Sequence, residues 1–394
     1  MLQKLKNSPL IRVIRRETSR IAVSWILIFY TILAPVASFL LIIWLFSDGI
    51  VKDLPVAVVD MDQSAFSLKV TRLIDATRVC KVEYRVNSML EARNMMDRGK
   101  IDAFVVLPEN LEKKILSSDS PAIAVFINDM YVGRAGALKS GLYTTLSTIS
   151  AGIKVQVAIK KGQTHDQAIG NARPVNPNIQ LLFNPYGNYA YFLVLGLLPL
   201  LSVVFIFLGS VYALGMEFKE GTASDLMSKA ENNIFTALSG KMIPYTFLFF
   251  MNMLVMDILM VKTLGTPLRG SLALILVSEI LLIISYQLLA ILFIKLSANL
   301  RLSLSLGSAY TMMALTFSGL TFPLMSMPLI ARLFSYVFPF TSWLHIFMSQ
   351  TLRGEPAIET FNSFLAFIPF ILAGLMAFPG AKRKLSDPVY WYRD

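Results

Sequence analysis

The chain has 394 residues, of which 55% are hydrophobic and only 15% charged, and its mean hydropathy is +0.61. Soluble domains carry about 25% charged residues, so the composition excludes an ordinary soluble globular protein. The net charge of +11 does not mark a nucleic-acid binder. The basic residues cluster beside apolar runs, where they set orientation and meet lipid headgroups, so the expected partner is the lipid bilayer and no nucleic acid.

Residues 1–20 carry Lys4, Lys6, Arg12, Arg15, Arg16 and Arg20. After Pro9, Leu10, Ile11, Val13 and Ile14 fall on one side of a helical wheel and the arginines on the other. This pattern predicts an amphipathic interfacial helix, with Glu17 intruding on its apolar arc. Residues 21–46 form an apolar run too long for a cleaved signal peptide. They are read as a first transmembrane helix with Pro35 as a kink, and the basic flank places the N-terminus in the cytoplasm.

Residues 47–187 have a different character: charges are frequent and no run spans a bilayer. Strands are predicted at Val56–Val59, Val79–Arg85, Ala103–Val106 and Ala122–Ile127. They alternate with helices at Ala65–Ala76, Ser88–Arg98, Pro108–Leu116 and Gly133–Lys161, which predicts an extracytoplasmic α/β domain. The run Asp60-x-Asp62-x-Ser64 fails as a calcium loop, because Ala65 and Thr71 stand where glycine and glutamate are needed. A strand-ending turn that caps the next helix is the better reading. Cys80, the single cysteine, reads as a small core residue. His165 and His345 lie far apart, and no metal-ligand spacing occurs.

Residues 188–381 hold the other predicted spans, at about 189–214, 242–261, 272–294, 302–322 and 361–378, after a turn cluster at Asn184–Gly187. Residues 323–356 are apolar but broken by Pro323, Pro328 and Pro339, which suits re-entrant helices covered by protein. Residues 382–394 form a basic tail, and six spans return it to the cytoplasm. The expected fold is a polytopic α-helical membrane protein. It has six transmembrane helices, re-entrant helices before the last, and an inserted extracytoplasmic α/β domain.

A charged island at 216–230 interrupts these apolar runs. Gly221 is suited to ending one helix, and Thr222 with Asp225 three residues on resembles a capping box. Leu226 and Met227 are then expected as exposed apolar knobs on a short surface helix that docks a partner. An ordinary loop is the competing reading. Asp257 and Glu279 lie inside spans, where ionised carboxylates are costly, so they are candidates for a translocation path or for pairing, with Lys262 as one partner. Asn252 and Gln287 are weaker candidates, which helix–helix hydrogen bonding also explains. The nineteen methionines are read as packing. The sequence contains no nucleotide-binding loop, no serine nucleophile elbow and no zinc-protease motif, so the chain is not expected to be an enzyme.

Four stretches resemble the ABC-2 type transporter permeases, in the subgroup with a large extracytoplasmic domain between the first two spans. They are Leu54 to Ser64, Gly99 to Pro108, the Glu217-x-x-x-Gly221-Thr222 signature, and Ser318-Gly319-Leu320-Thr321-Phe322-Pro323 with Pro328, Pro339 and Arg353-Gly354. The resemblance implies the permease subunit of a multidrug or lipophile exporter in a bacterial inner membrane, with both termini cytoplasmic. It implies a separate ABC ATPase subunit carrying ATP and Mg, so that this chain binds no cofactor. That partner would dock on a coupling helix containing Glu217, Glu220, Gly221, Thr222, Asp225, Leu226 and Met227. It also implies a second permease copy, as a homodimer or with a close paralogue, and a periplasmic adaptor with an outer-membrane channel in some members. A proton-coupled transporter using Asp257 and Glu279, or a membrane-anchored sensor, are the rival readings of the residues.

Overall fold

The structure is a computed structural model that describes residues 8–47, 51–117, 119, 121–172 and 189–392. The expected turn at Asn184–Gly187 and the basic Lys4 and Lys6 lie outside the described residues. The chain divides into two units, Asp48–Tyr189 and Met1–Ser47 with Ala190–Asp394.

The second of these begins with α1 (Pro9–Val23), which Ser8 caps by accepting the Ile11 amide while Pro9 sits at the first turn. Its buried residues, Val13, Glu17 and Ile21, recur every fourth position and so form one face. The helix breaks at Ser24, which is extended and caps α2 (Trp25–Ile28). A π-helical turn, Phe29–Leu33, leads into α3 (Ala34–Leu45). Pro35 has no N–H to give the carbonyl four residues earlier, that of Thr31. Asn252 fills the gap, its Nδ2 donating to Thr31 O at 2.6 Å.

The unit Asp48–Tyr189 holds a four-stranded sheet in the order β2-β1-β3-β4, with β1 Leu54–Asp60, β2 Cys80–Val86, β3 Ala103–Leu107 and β4 Ala124–Ile127. β1 runs parallel to β2 and β3, and β4 is antiparallel to β3. The helices are α4 (Ala65–Asp75), α5 (Met89–Asp97), α6 (Leu111–Leu116), α7 (Val132–Lys160) and α8 (His165–Ala172). Val56 and Val58 enter one core with Val70, Ile74, Leu138 and Leu142. Ala57 and Val59 enter another with Phe104 and Ala92. Burial on both faces explains why this strand reads as a continuous apolar run without alternation. Asp60 closes the following turn, its Oδ1 accepting the Asp62 and Gln63 amides at 3.1 and 2.9 Å. Ser64 caps α4 by accepting the Ser67 amide at 3.0 Å. The helix expected from Pro108 starts only at Leu111, because Asn110 adopts the left-handed region at φ 56°.

After the α/β unit come α9 (Tyr189–Lys219), α10 (Ala223–Lys229), and α11 (Ile234–Leu259) with a π-helical end at Met260–Leu264. They are followed by α12 (Leu272–Ser297), α13 (Leu300–Thr316), α14 (Leu329–Ser335) and α15 (Pro339–Met348), then α16 (Ala357–Leu365) and α17 (Ile368–Ser386). Among the described residues, five helices are long and apolar enough to cross a bilayer: Trp25–Leu45, Leu193–Lys219, Ile234–Leu264, Leu272–Ser297 and Ala357–Ser386. The sixth expected span, 302–322, is the 17-residue α13, about 26 Å long and short of the ~30 Å hydrocarbon core. It stops at Thr316, shortly before Gly319 takes a left-handed φ of 87°; the freed carbonyls find donors in Ser318 Oγ, 2.7 Å from Leu315 O, and Thr341 Oγ1, 3.5 Å from Phe317 O just past the helix. The ring of Phe317 meanwhile packs on Phe334 and Phe338. Lys382, Arg383 and Lys384, expected in a tail, belong to α17.

Burial in the core of the α/β unit pushes the Cys80 thiol up to about 11, so little of the reactive thiolate forms near neutral pH. Maleimide is expected to leave Cys80 unmodified in the folded chain and to label it after denaturation. Rapid labelling of the folded protein would contradict the buried placement.

Candidate functional site

The charged island resolves into a lock of ion pairs among α1, α9, α10 and α11. Glu217 lies on the last turn of α9 and is wholly buried, as are Glu17 and Lys241. Arg16 grips Glu217 with two parallel bonds, Nη1 to Oε1 and Nη2 to Oε2, both 2.9 Å. Lys241 Nζ lies 2.7 Å from Glu217 Oε1 and 2.7 Å from Glu17 Oε1. Arg20 donates to Glu217 and to Glu220. Tyr245 OH donates to Glu17 Oε1 at 2.8 Å. Burial alone makes ionised carboxylates expensive, and only a full set of charged or hydroxyl donors offsets that cost. Here both buried carboxylates have such a set.

The Glu217-x-x-x-Gly221-Thr222 spacing has a local cause. Gly221 turns the chain at φ 68°, a conformation that burdens any residue with a Cβ. The turn brings Thr222 Oγ1 back to donate to Glu217 Oε2 at 2.7 Å. Tyr392 closes over this turn: its amide donates to Phe218 O at 2.7 Å, and its ring would lie 2.4 Å from a Cβ at position 221. Gly240 serves packing, since a Cβ there would meet Val13 Cβ at 2.8 Å, and its absence lets α1 and α11 approach closely.

Three sequence expectations for the island are corrected. Leu226 and Met227 are not exposed knobs, being 0% and 3% exposed, because α10 turns its apolar side onto α1, α11 and α17. Thr222 makes no capping bond to α10, since its hydroxyl is committed to Glu217. Asp225 makes no reciprocal capping contact in turn. It accepts from Arg16 Nε at 2.7 Å and from Lys229 Nζ at 3.2 Å. Burial raises the Asp225 carboxyl, but these two donors outweigh it and hold the group below the usual carboxylate range. The contact therefore contributes at neutral pH and is lost as pH falls through that lowered value. Burial likewise disfavours charge on Arg16, and the bonds to Glu217 more than reverse this.

Sequence reasoning missed Arg16, Arg20, Lys241 and Tyr245 as partners of the island. The available signals were Glu17 on an otherwise apolar arc and Lys241 inside an apolar run. Of the other candidates, Asn252 is committed to Thr31, and Gln287 Oε1 accepts from Thr246 at 2.8 Å. Asp257 and Glu279 lie near enough to interact electrostatically and form no ion pair with Lys262 or with any other described residue. In the proline-broken region Ser318 caps α13, Gly319 takes a left-handed φ of 87°, and Phe322 is exposed. Pro323 precedes a single 3-10 turn, while Pro328 and Pro339 start α14 and α15.

Replacing Lys241 by Met leaves Glu17 and Glu217 facing one another without the ammonium between them. The expected loss is about 3–5 kcal/mol, read as a lower thermal midpoint of the detergent-solubilised chain. Adding Glu17→Gln is expected to recover more than about 1 kcal/mol of that loss. Strictly additive effects would show that the pair does not interact.

The chain is 25% identical over 299 residues to the "Probable multidrug ABC transporter permease YbhS" of Escherichia coli K12, covering 74% of this chain and 75% of that protein. The same protein from E. coli O157:H7 matches equally. The family model described as "ABC-2 family transporter protein" matches residues 25–378, which takes in the first span, the α/β unit, the signature at Glu217 and the proline-broken region. The chain therefore belongs to the ABC-2 family of transporter proteins.

Proposed function

We propose that this chain is the permease subunit of an ABC exporter, moving a lipophilic substrate out of a bacterial cytoplasm or inner membrane. ATP and Mg are bound and used on a separate ATPase chain. The observation that carries this reading is the lock around Glu217, which ties α10 to α1, to the end of span α9 and to the start of span α11. A partner pressing on α10 moves these helices together. Both termini are cytoplasmic on this reading, as the basic face of α1 favours, and the α/β unit then lies outside. There it suits a docking platform for a periplasmic adaptor and an outer-membrane channel. A second permease copy completes the path.

The partner's footprint differs from the apolar knobs expected from sequence. The exposed side of α10 and the turn after it presents Ser224, Asp225, Ser228, Glu231 and Asn232, so the ATPase contact is polar. A tag on the full chain is expected to recover an ABC ATPase from native membranes. Ser224→Trp or Ser228→Trp should reduce that recovery about tenfold or more with the permease melting point unchanged. Leu226→Ala should instead lower the melting point, by the equivalent of about 2–5 kcal/mol. Intact export from an assembly with no nucleotide-hydrolysing chain would overturn the reading.

A further inference from the structure

Helices α11 and α12 form a hairpin closed by the loop at Gly265–Ser271. Asp257 stands seven residues before Leu264 and Glu279 seven after Leu272, so both lie about 10 Å down from the closed end. At that matched depth the two carboxyl groups lie near enough to interact electrostatically. Glu279 is 0% exposed, and beyond this interaction both of its carboxyl oxygens and Asp257 Oδ1 are buried without a hydrogen-bond partner. No lysine, arginine or histidine among the described residues pairs with either acid. The contrast within this one chain is direct, since Glu217 has a donor on each oxygen from four different side chains.

A fully buried acid and a partly buried one, with no cation paired to either among the described residues, leave a charge complement unfilled, and ionisable groups at membrane depth mark function when nothing local satisfies them. A second feature accompanies them. The helix turns to π geometry at Met260–Leu264, beginning three residues after Asp257, a distortion that recurs at functional sites. We propose that Asp257 and Glu279 form a cation-binding site that takes a lipophilic organic cation.

The chemistry selects that ligand class. Two carboxyl groups fall short of the six to eight oxygens a calcium ion takes, and no group of three or more metal-ligating side chains occurs among the described residues. The neighbouring Ile258, Val261, Val277 and Ile280 are exposed apolar side chains, which face lipid in a membrane. A strongly hydrated cation loses much on entering such surroundings, whereas a delocalised charge on an apolar body loses little. The site deepens the exporter reading by naming a substrate class, but binding itself requires neither export nor an ATPase.

The test uses the purified full chain in lipid nanodiscs and the probe tetraphenylphosphonium, measured by equilibrium dialysis. Saturable binding is expected, weakened at least about tenfold by Glu279→Gln and by Asp257→Asn. Tetraphenylborate, of like size and opposite charge, is expected not to compete. Equal binding by wild type and both variants, or competition by tetraphenylborate, would overturn the proposal. Should either variant melt early, the wild-type chain supplies a second measurement with dicyclohexylcarbodiimide. In that reaction a protonated carboxyl oxygen bonds to the central diimide carbon and its proton passes to nitrogen. Acyl migration then leaves a stable N-acylurea, with no group lost. Tetraphenylphosphonium is expected to slow modification of Glu279 several-fold, and unchanged modification would refute the site. Because no ATPase takes part, failure here leaves the permease reading standing, and loss of ATPase recovery leaves this one standing.

Discussion

The carboxylate of Glu217 is the constraint on which the rest of this end of the helical unit depends. It is buried and accepts from Arg16, Arg20, Lys241 and Thr222. An ionised group in that position is tolerable only while those donors surround it. The donors come from three stretches of chain, Arg16 and Arg20 from α1, Lys241 from α11 and Thr222 from the turn before α10, so satisfying one carboxylate fixes where these lie against α9. The backbone follows from this requirement: Gly221 turns so that Thr222 reaches back, and Gly240 has no Cβ so that α1 settles against α11.

A lock of this kind is a poor source of net stability and a good source of geometry. Replacing such pairs by apolar groups often costs nothing, whereas removing one partner is costly. The arrangement therefore holds particular partners in register instead of merely filling space. The bidentate grip of Arg16 reinforces this, because a planar guanidinium matches a carboxylate in one orientation. Any displacement of α10 either carries α1 and α11 with it or exposes buried charge. This is the property required of a helix through which an outside ATPase acts, on the function proposed above.

Much of the fold was legible in the sequence. The strands at Val56 and Ala103, the helix ending near Lys160 and the apolar runs all announced themselves through length and periodicity. Boundaries failed where side-chain chemistry overrode pattern. The α13 helix stops before its apolar run ends, with Gly319 in the left-handed region just beyond it and Ser318 and Thr341 donating to the carbonyls freed there. The island was legible as a position but not as a geometry. Exposure of Leu226 and Met227 followed from treating α10 as a surface helix, and nothing local revealed that α1, about two hundred residues away in sequence, would cover it. The one local hint was Glu17, a charge on an apolar arc, which has a physical reason only once Lys241 is opposite it.

Helix α11 joins the two acid sites. Lys241 near its start belongs to the lock, Asn252 further along holds the first span at the carbonyl that Pro35 leaves free, and Asp257 lies one turn beyond Asn252. From Lys241 to Asp257 is sixteen residues by numbering, about 24 Å of helix. The contacts of Lys241 and Asn252 fix α11 to α1 and to the kink of the first span, and Asp257 beyond them carries a carboxyl group with no cation paired to it among the described residues. Asp257 therefore stands on the helix that also carries a lock residue, interrupted by Pro244 between them, while Glu279 is carried on the separate helix α12. Relative movement of α11 and α12 changes the separation of the two carboxyl groups, and with it the site's affinity for positive charge. On the cation site and the ATPase contact proposed above, such a change would link the contact made at α10 to release of a cation held between Asp257 and Glu279.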